Sequence, residues 1–196
     1  MESAEKFTYW STNPLPLHSK TEAFWLFASG SLTSKLQALG TYSLDLISQS
    51  ECKADVHDAQ SLNLPVGSEI WVREVLMYID NQPCVAARSL ASINSLQHDW
   101  RELARYGRFP LGDILYNDPT VERSPFECAL LISEDPLERL SRMFDHGESQ
   151  LSARRSEFRR NNSTLCVCEC FLSAFWSNYA GDADALLLKA NSQGYC

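Results

Sequence analysis

The chain has 196 residues, 44% of them hydrophobic, which suits a single globular domain with a sizeable core. Its net charge of -8 argues against nucleic-acid binding, since no basic stripe interrupts the acidic balance, and we predict no nucleic-acid partner. No apolar stretch approaches the length of a membrane span, and the start "MESAEKFTYW" lacks the basic and apolar parts of a secretion signal. We therefore expect a cytoplasmic protein without stable membrane insertion.

From the N-terminus, residues 1–20 contain "STNPLPL" and are predicted to form a partly extended arm. Two short helices follow, separated at residues 29–31, with Thr21 capping the first and Gly40 ending the second. "TYSLDLISQSE", residues 41–51, alternates as a strand does, and a polar stretch without a predicted element comes after it.

A β-hairpin is the strongest prediction in the middle of the chain. "EIWVREVLMYID" and "CVAARSLASI" both alternate with period two, and the turn "DNQP" joins them. Arg73 is the one charge in an otherwise apolar row of the first strand, and Arg88 is a second arginine on the return strand. Each arginine therefore needs a partner or a ligand.

The next four segments mix helices and strands. Residues 95–107 are predicted to form one amphipathic helix that ends at Gly107, and residues 109–119 a turn leading into a short helix. Residues 121–133 have the pattern of a single strand, and residues 136–144 that of a helix.

A second hairpin is predicted to turn at Asn161-Asn162. The charged run at residues 154–160 on its first strand is expected to form mostly a solvent-exposed face. On its second strand Glu169 lies in an apolar row, where a carboxylate costs several kcal/mol unless it is paired, protonated or facing a polar ligand. The tail, residues 178–196, is expected to be loosely attached.

Seven cysteines, an odd number without a secretion signal, predict reduced thiols packed as small hydrophobic residues. Cys166, Cys168 and Cys170 share the strand face opposite Glu169. Same-face neighbours on a strand lie roughly 6.5–7 Å apart, too far for three thiolates to converge on one zinc ion. No C-x-x-C or H-x-x-x-H partner occurs elsewhere in the sequence, so we predict no metal site.

Strands outnumber helices and are joined by hairpins, which predicts an α+β fold with one antiparallel sheet and inserted helices. No G-x-G-x-x-G, G-x-x-x-x-G-K or G-x-S-x-G motif is present, which disfavours nucleotide enzymes and serine hydrolases. Two interpretations of the lone charges remain open. Arg73 and Glu169 could pair with each other or with neighbours across the sheet, or they could line a small pocket that holds a compact organic anion.

Three motifs occur in a characteristic order: "WVREVLMYIDNQPCVAARS", then "WRELARYGRFPLGDIL", then "ARRSEF" followed by "NNSTLCVCECFLSAF". With these motifs, Phe24 to Phe175 resembles the bacterial chorismate pyruvate-lyase family. The resemblance implies a single domain over residues 1–196, with a ligand closed beneath two helix-turn-helix flaps. The flaps would fall on residues 29–33 and on the turn "RFPLGDIL".

The resemblance also implies site residues and an activity. Arg73 and Glu169 would be the catalytic and substrate-binding side chains, and Leu32 and Leu111 would contribute backbone contacts from the flaps. Arg73 would bind a carboxylate and stabilise charge, and Glu169 would orient the ring hydroxyl; whether Glu169 also transfers a proton is open. The family eliminates pyruvate from chorismate to give 4-hydroxybenzoate, the aromatic precursor for ubiquinone.

Because aromatisation drives that elimination, we expect no metal or redox cofactor. Separately, we expect a monomer. The competing hypothesis is a non-catalytic module that binds a small acid, related to the ligand-sensing domains of transcription regulators.

Overall fold

The computed structural model describes residues 7–181. Its sheet has seven strands, which are β1 (Tyr42–Lys53), β2 (Glu69–Ile79), β3 (Gln82–Ser92), β4 (Glu122–Arg123), β5 (Glu127–Leu130), β6 (Ser152–Arg160) and β7 (Ser163–Phe171). The strand order is β1-β2-β3-β7-β6-β4, with β5 also paired to β6, and every pairing is antiparallel. The predicted α+β fold with one antiparallel sheet is confirmed.

Within the described residues, seven short α-helices and one 3-10 helix connect or cover the strands. They are α1 (Lys20–Phe27), α2 (Leu32–Gln37), α3 (Val56–Leu62), α4 (Ile93–Gln97), the 3-10 helix (Arg101–Arg105), α5 (Gly112–Asn117), α6 (Pro136–Arg142) and α7 (Ser173–Asn178). Within residues 7–181 none of these helices has the length and apolar character that crossing a membrane takes.

The two N-terminal helices exist as predicted, but their ends differ. Ser19, not Thr21, caps α1, because the Ser19 hydroxyl accepts from the Glu22 backbone while the Glu22 carboxylate accepts from the Ser19 backbone. The second helix ends at Gln37, three residues before the predicted stop at Gly40. A Cβ at Gly40 would lie 2.6 Å from the carboxylate of Asp80, so this glycine serves close packing and not the helix end.

Helix α3 was not predicted from the polar stretch after β1. The Asp55 carboxylate accepts from the backbone N–H groups of His57 and Asp58, and Asn63 ends the helix with a left-handed backbone, φ 52°. With seven residues the helix is too short to show a clear hydrophobic period. Its position matters because it brings Asp58 to Arg88 of β3.

The single helix predicted for residues 95–107 is wrong. The structure has α4 and the 3-10 helix there, separated at His98 to Trp100. Asp99 accepts hydrogen bonds from Asn161 and Ser163 of the second hairpin, and Trp100 is completely buried. These distant contacts outweigh the local helical pattern.

The two predicted hairpins are confirmed, with turns at Asp80-Asn81 and Asn161-Asn162. Asp80, Asn81 and Asn161 have positive φ angles of 49°, 65° and 51°, as tight hairpin turns require. The single strand predicted for residues 121–133 is instead two pieces, β4 and β5. Pro125 separates them, since proline has no N–H to donate to a ladder.

The two faces of the sheet carry different residues. The pocket face carries Arg73 and Glu169, and the opposite face packs against α3 and α6. On the opposite face Arg88 bonds to Asp58 at 3.1 Å and lies 3.3 Å from Glu74. The opposite face also carries the three cysteines, which confirms the predicted alternation of β7: Cys166, Cys168, Cys170.

Two apolar clusters cover the pocket face at its two ends. One lies beneath the first flap, which we define as α1, α2 and the turn between them (residues 20–37), and includes Leu32. The other lies beneath the second flap, defined as the 3-10 helix, α5 and the turn between them (residues 101–117), and includes Leu111. The pocket face between the two clusters forms the floor of a cavity.

Candidate active site

A cavity lies between the two flaps and the pocket face, with about 540 Å³ of space that protein atoms do not fill, part of it open to solvent. Arg73 and Glu169 line it from the sheet, Leu32 lines it from the first flap and Leu111 from the second. The structure therefore brings all four predicted site residues to one cavity. Much of the remaining wall is apolar: Leu44, Val75, Met77, Leu115, Phe126, Phe158.

Arg73 is 2% exposed and joins the cavity floor to the second flap. Its Nε and Nη2 donate to the Gly107 carbonyl at 3.2 and 2.9 Å, and Nη2 also donates to the Phe109 carbonyl at 2.9 Å. Burial lowers the pKa of Arg73 to about 10, which still leaves the guanidinium charged at neutral pH. Because its acceptors on the flap are neutral carbonyls, the cation keeps its full charge for an anionic ligand.

Glu169 pairs with Arg154 and not with Arg73. Its Oε2 accepts from Arg154 Nε at 2.6 Å, and the two residues lie directly opposite each other on β7 and β6. Of the two open interpretations, the direct Arg73–Glu169 pair is therefore wrong, whereas pairing with a neighbour across the sheet holds for Glu169. The same carboxylate still lines the cavity, so pairing and facing a ligand do not exclude each other.

Arg154 is the residue that sequence reasoning missed. It belongs to the charged run expected to face solvent, yet it is 1% exposed. Besides Glu169 it bonds to the end of the first flap's α1, where Nη1 donates to the carbonyls of Trp25 at 3.1 Å and Ala28 at 3.2 Å. Its guanidinium lies 4.3 Å from the ring centre of Phe126, a cation–π contact.

The sheet register sets the spacing between the two charges that line the cavity. Arg73 pairs with Ser89 and Ser89 with Val167, two residues before Glu169. The Cα atoms of Arg73 and Glu169 are thus two strand spacings apart, about 10 Å, and offset by about 7 Å along the strand. The two charged side chains therefore approach the cavity from positions that are separated both across and along the sheet.

The two flaps meet above the cavity at Ser31 and Gly112. A Cβ at Gly112 would lie 2.8 Å from Ser31 Oγ, which caps α2 by accepting from the Ser34 N–H, so only glycine allows this close approach. Tyr116 lines the cavity from the second flap. Burial, with the nearby negative charge of Glu169, raises the pKa of Tyr116 to about 12, so its phenol stays protonated and can donate.

The three cysteines of β7 lie on the other side of the sheet from this cavity. Cys166 and Cys168 have sulfur atoms 3.7 Å apart, and burial raises the pKa of the Cys170 thiol to about 12. Such thiols are protonated and weakly reactive. In the part of the chain that the structure describes, no three His, Cys, Asp or Glu side chains gather as a metal site would require.

With this geometry in place, comparison with known proteins gives the family. The chorismate lyase family model matches residues 5–180. The chain belongs to the chorismate lyase family. A relative in Burkholderia pseudomallei (strain 1710b), named "Probable chorismate pyruvate-lyase 1", is 51% identical over 87% of this chain and 93% of its own. A relative of the same name in Pseudomonas fluorescens (strain Pf0-1) is 46% identical over 86% of this chain and 91% of its own.

A solved structure is similar to this chain in its fold. PhnF from Mycobacterium smegmatis is similar with a TM-score of 0.52, covering 74% of this chain and 65% of that chain. The two are 13% identical, so the likeness shows the fold alone.

Proposed function

We propose that this chain eliminates pyruvate from chorismate and releases 4-hydroxybenzoate, the aromatic precursor for ubiquinone. The observation that carries the proposal is the meeting of Arg73 and Glu169 in one largely apolar cavity beneath two flaps. The chain's membership of the chorismate lyase family and the names of its relatives support it further.

The reaction needs little covalent help from the protein. Chorismate is a cyclohexadiene with a ring carboxylate, an enolpyruvyl ether and a neighbouring hydroxyl. The ether bond to the ring breaks, the hydroxyl-bearing carbon loses its hydrogen, and that hydrogen is recovered in pyruvate. Atoms therefore balance without water or an oxidant, and aromatisation supplies the driving force. What remains for the protein is to orient the substrate, exclude water and stabilise charge on the departing oxygen.

Arg73 is assigned to the ring carboxylate and to the charge that develops on the departing oxygen. Its Nε and Nη2 are occupied by flap carbonyls, which leaves the N–H groups of Nη1 for the ligand. Leu111 immediately precedes α5, where backbone N–H groups have no acceptor within the helix. We assign its N–H to the ligand as a second donor.

Glu169 is assigned to the ring hydroxyl at the other end of the ligand. Arg154 holds its Oε2, which leaves Oε1 to accept the hydroxyl proton in a hydrogen bond. Leu32 is the first residue of α2, so its N–H also lacks an acceptor within the helix and is assigned to the ligand. The apolar wall between the two polar ends would contact the ring.

The test is to incubate the purified protein with chorismate and to measure pyruvate and 4-hydroxybenzoate separately. We expect both products in equal amounts, at a rate well above that of chorismate without protein. A mock preparation that carries Arg73→Met controls for contaminating enzymes. Tight binding of 4-hydroxybenzoate without pyruvate release would refute the lyase proposal and favour the small-acid-binding module.

A further inference from the structure

Arg154 connects two parts of the site that lie on different elements. On one side it holds the carboxylate of Glu169, and on the other the carbonyls of Trp25 and Ala28 at the end of α1. Three residues separate Ala28 from Leu32, the first residue of α2. Arg154 therefore bonds directly to the Glu169 carboxylate and to the segment that precedes the Leu32 N–H. Both of these groups are assigned to the hydroxyl end of the ligand.

Burying the charge of Arg154 costs folding free energy, so the position of this residue calls for a reason other than stability. A guanidinium that is 1% exposed in the middle of a sheet has lost its water, and a buried ion pair seldom repays that loss in stability. The planar guanidinium donates in fixed directions, and here it reaches the Glu169 carboxylate and both carbonyls at the end of α1 at once. One side chain therefore links the rotamer of Glu169 to the end of α1.

We propose that Arg154 is a positioning residue of the site: it aims Glu169 Oε1 into the cavity and holds the first flap in the arrangement that presents Leu32. This inference rests on the proposed function. It assigns to Arg154 no contact with the substrate, so its effect should pass through Glu169 and through the flap.

The chain offers a matched control in the next residue. Arg155 lies on the same strand but faces the other side of the sheet, where its Nε bonds to Glu127 at 2.7 Å and its guanidinium lies 4.6 Å from the ring of Trp10. Arg154→Met and Arg155→Met each remove one paired arginine from β6. We expect Arg154→Met to lower kcat/KM by about 10- to 100-fold, as for a lost charged hydrogen bond, and Arg155→Met to stay close to wild type.

Two further measurements separate positioning from mere stability. In a Glu169→Gln background, Arg154→Met should cost much less activity than in wild type, because the group it aims is already altered. Arg154→Lys, which keeps the charge but not the fork, should recover part of the loss. Backbone hydrogen exchange of residues 26–34 should become faster in Arg154→Met and not in Arg155→Met.

Equal activity of the two methionine variants, or an equal loss from Arg154→Met in both backgrounds, would overturn the inference while leaving the proposed function intact. A wild-type protein that releases no pyruvate from chorismate would refute the proposed function instead. The exchange comparison still decides the inference in that case, because unchanged exchange in residues 26–34 would show that Arg154 does not hold the first flap.

Discussion

Replacing Arg73 by methionine separates ligand binding from stability. The change removes a buried cation and its three hydrogen bonds to the carbonyls of Gly107 and Phe109. Phe109 is 70% exposed, so water can replace the guanidinium at this end of the turn. The cation is itself desolvated, as its lowered pKa shows, and removing it relieves that cost. We therefore expect a moderate loss of stability, about 1–3 kcal/mol.

Arg73→Met should also bind the ligand more weakly. A hydrogen bond between a charged donor and a carboxylate contributes about 1.5–3 kcal/mol, which corresponds to roughly 10- to 150-fold weaker binding. 4-Hydroxybenzoate is the ligand of choice because it is stable and carries the carboxylate that Arg73 is proposed to bind. Isothermal titration calorimetry of the purified variant measures this affinity directly.

Arg88→Met is the matched control, because Arg88 is 6% exposed and lies on the neighbouring strand with its side chain on the opposite face. Its loss leaves Asp58 and Glu74 close together without their cation, at a cost of roughly 3–5 kcal/mol. Urea unfolding should therefore rank Arg88→Met as the less stable variant, while calorimetry ranks Arg73→Met as the weaker binder. If Arg73→Met binds 4-hydroxybenzoate as tightly as Arg88→Met does, Arg73 does not contact the ligand.

Three further outcomes are expected. Replacing the cysteines of β7 together by alanine should cost about 1–3 kcal/mol at each badly tolerated site, yet turnover per folded molecule should survive; a hundredfold loss would contradict their placement. A chelator should leave pyruvate release unchanged, and a loss that a divalent ion restores would contradict this. Burial raises the pKa of Asp58 from 3.8 to about 6, so its contribution to stability is present below pH 3.8 and is lost as the pH rises through 6. The difference in unfolding free energy between wild type and Asp58→Asn should therefore fall between pH 4 and 6, and parallel stability curves would contradict it.

The positions of the two cavity charges were predictable because side chains alternate along a strand by geometry alone. Once β2 and β7 are recognised, Arg73 and Glu169 must each stand in a row of apolar neighbours. That they face the same cavity, and not opposite sides, depends on strand order, which the motifs of the family implied and the alternation did not. The flap residues Leu32 and Leu111 came from the resemblance, since a buried leucine at the start of a helix is ordinary core packing.

Arg154 could have been found from the sequence. With a two-residue turn at Asn161-Asn162, residues equally far from the turn pair across the hairpin, and Arg154 and Glu169 are each seven residues away from it. The error was to assign the charged run mostly to solvent without separating its alternate residues. Alternation divides it, since Arg154, Ser156 and Phe158 are buried while the residues between them are more exposed.

The break between α4 and the 3-10 helix could not have been predicted in this way. Its causes are hydrogen bonds from Asn161 and Ser163 to Asp99, more than sixty residues away in the sequence. The local pattern of residues 95–107 is helical, and the helix is interrupted because of contacts with the second hairpin. The hydrophobic periodicity of a short segment carries no information about such long-range contacts.

Only one of the two buried arginines of the site is neutralised by a carboxylate. This difference makes the two ends of the cavity electrostatically distinct. Arg73 bonds to neutral carbonyls of the second flap and keeps its positive charge, whereas Arg154 meets the carboxylate of Glu169, and the two charges offset each other. An aromatic acid that enters with its carboxylate at Arg73 places its neutral hydroxyl at Glu169. The reverse orientation would set two carboxylates together and leave Arg73 without a counter-ion, which costs several kcal/mol for charges that are largely buried. The orientation of the ligand thus follows from which arginine is already neutralised.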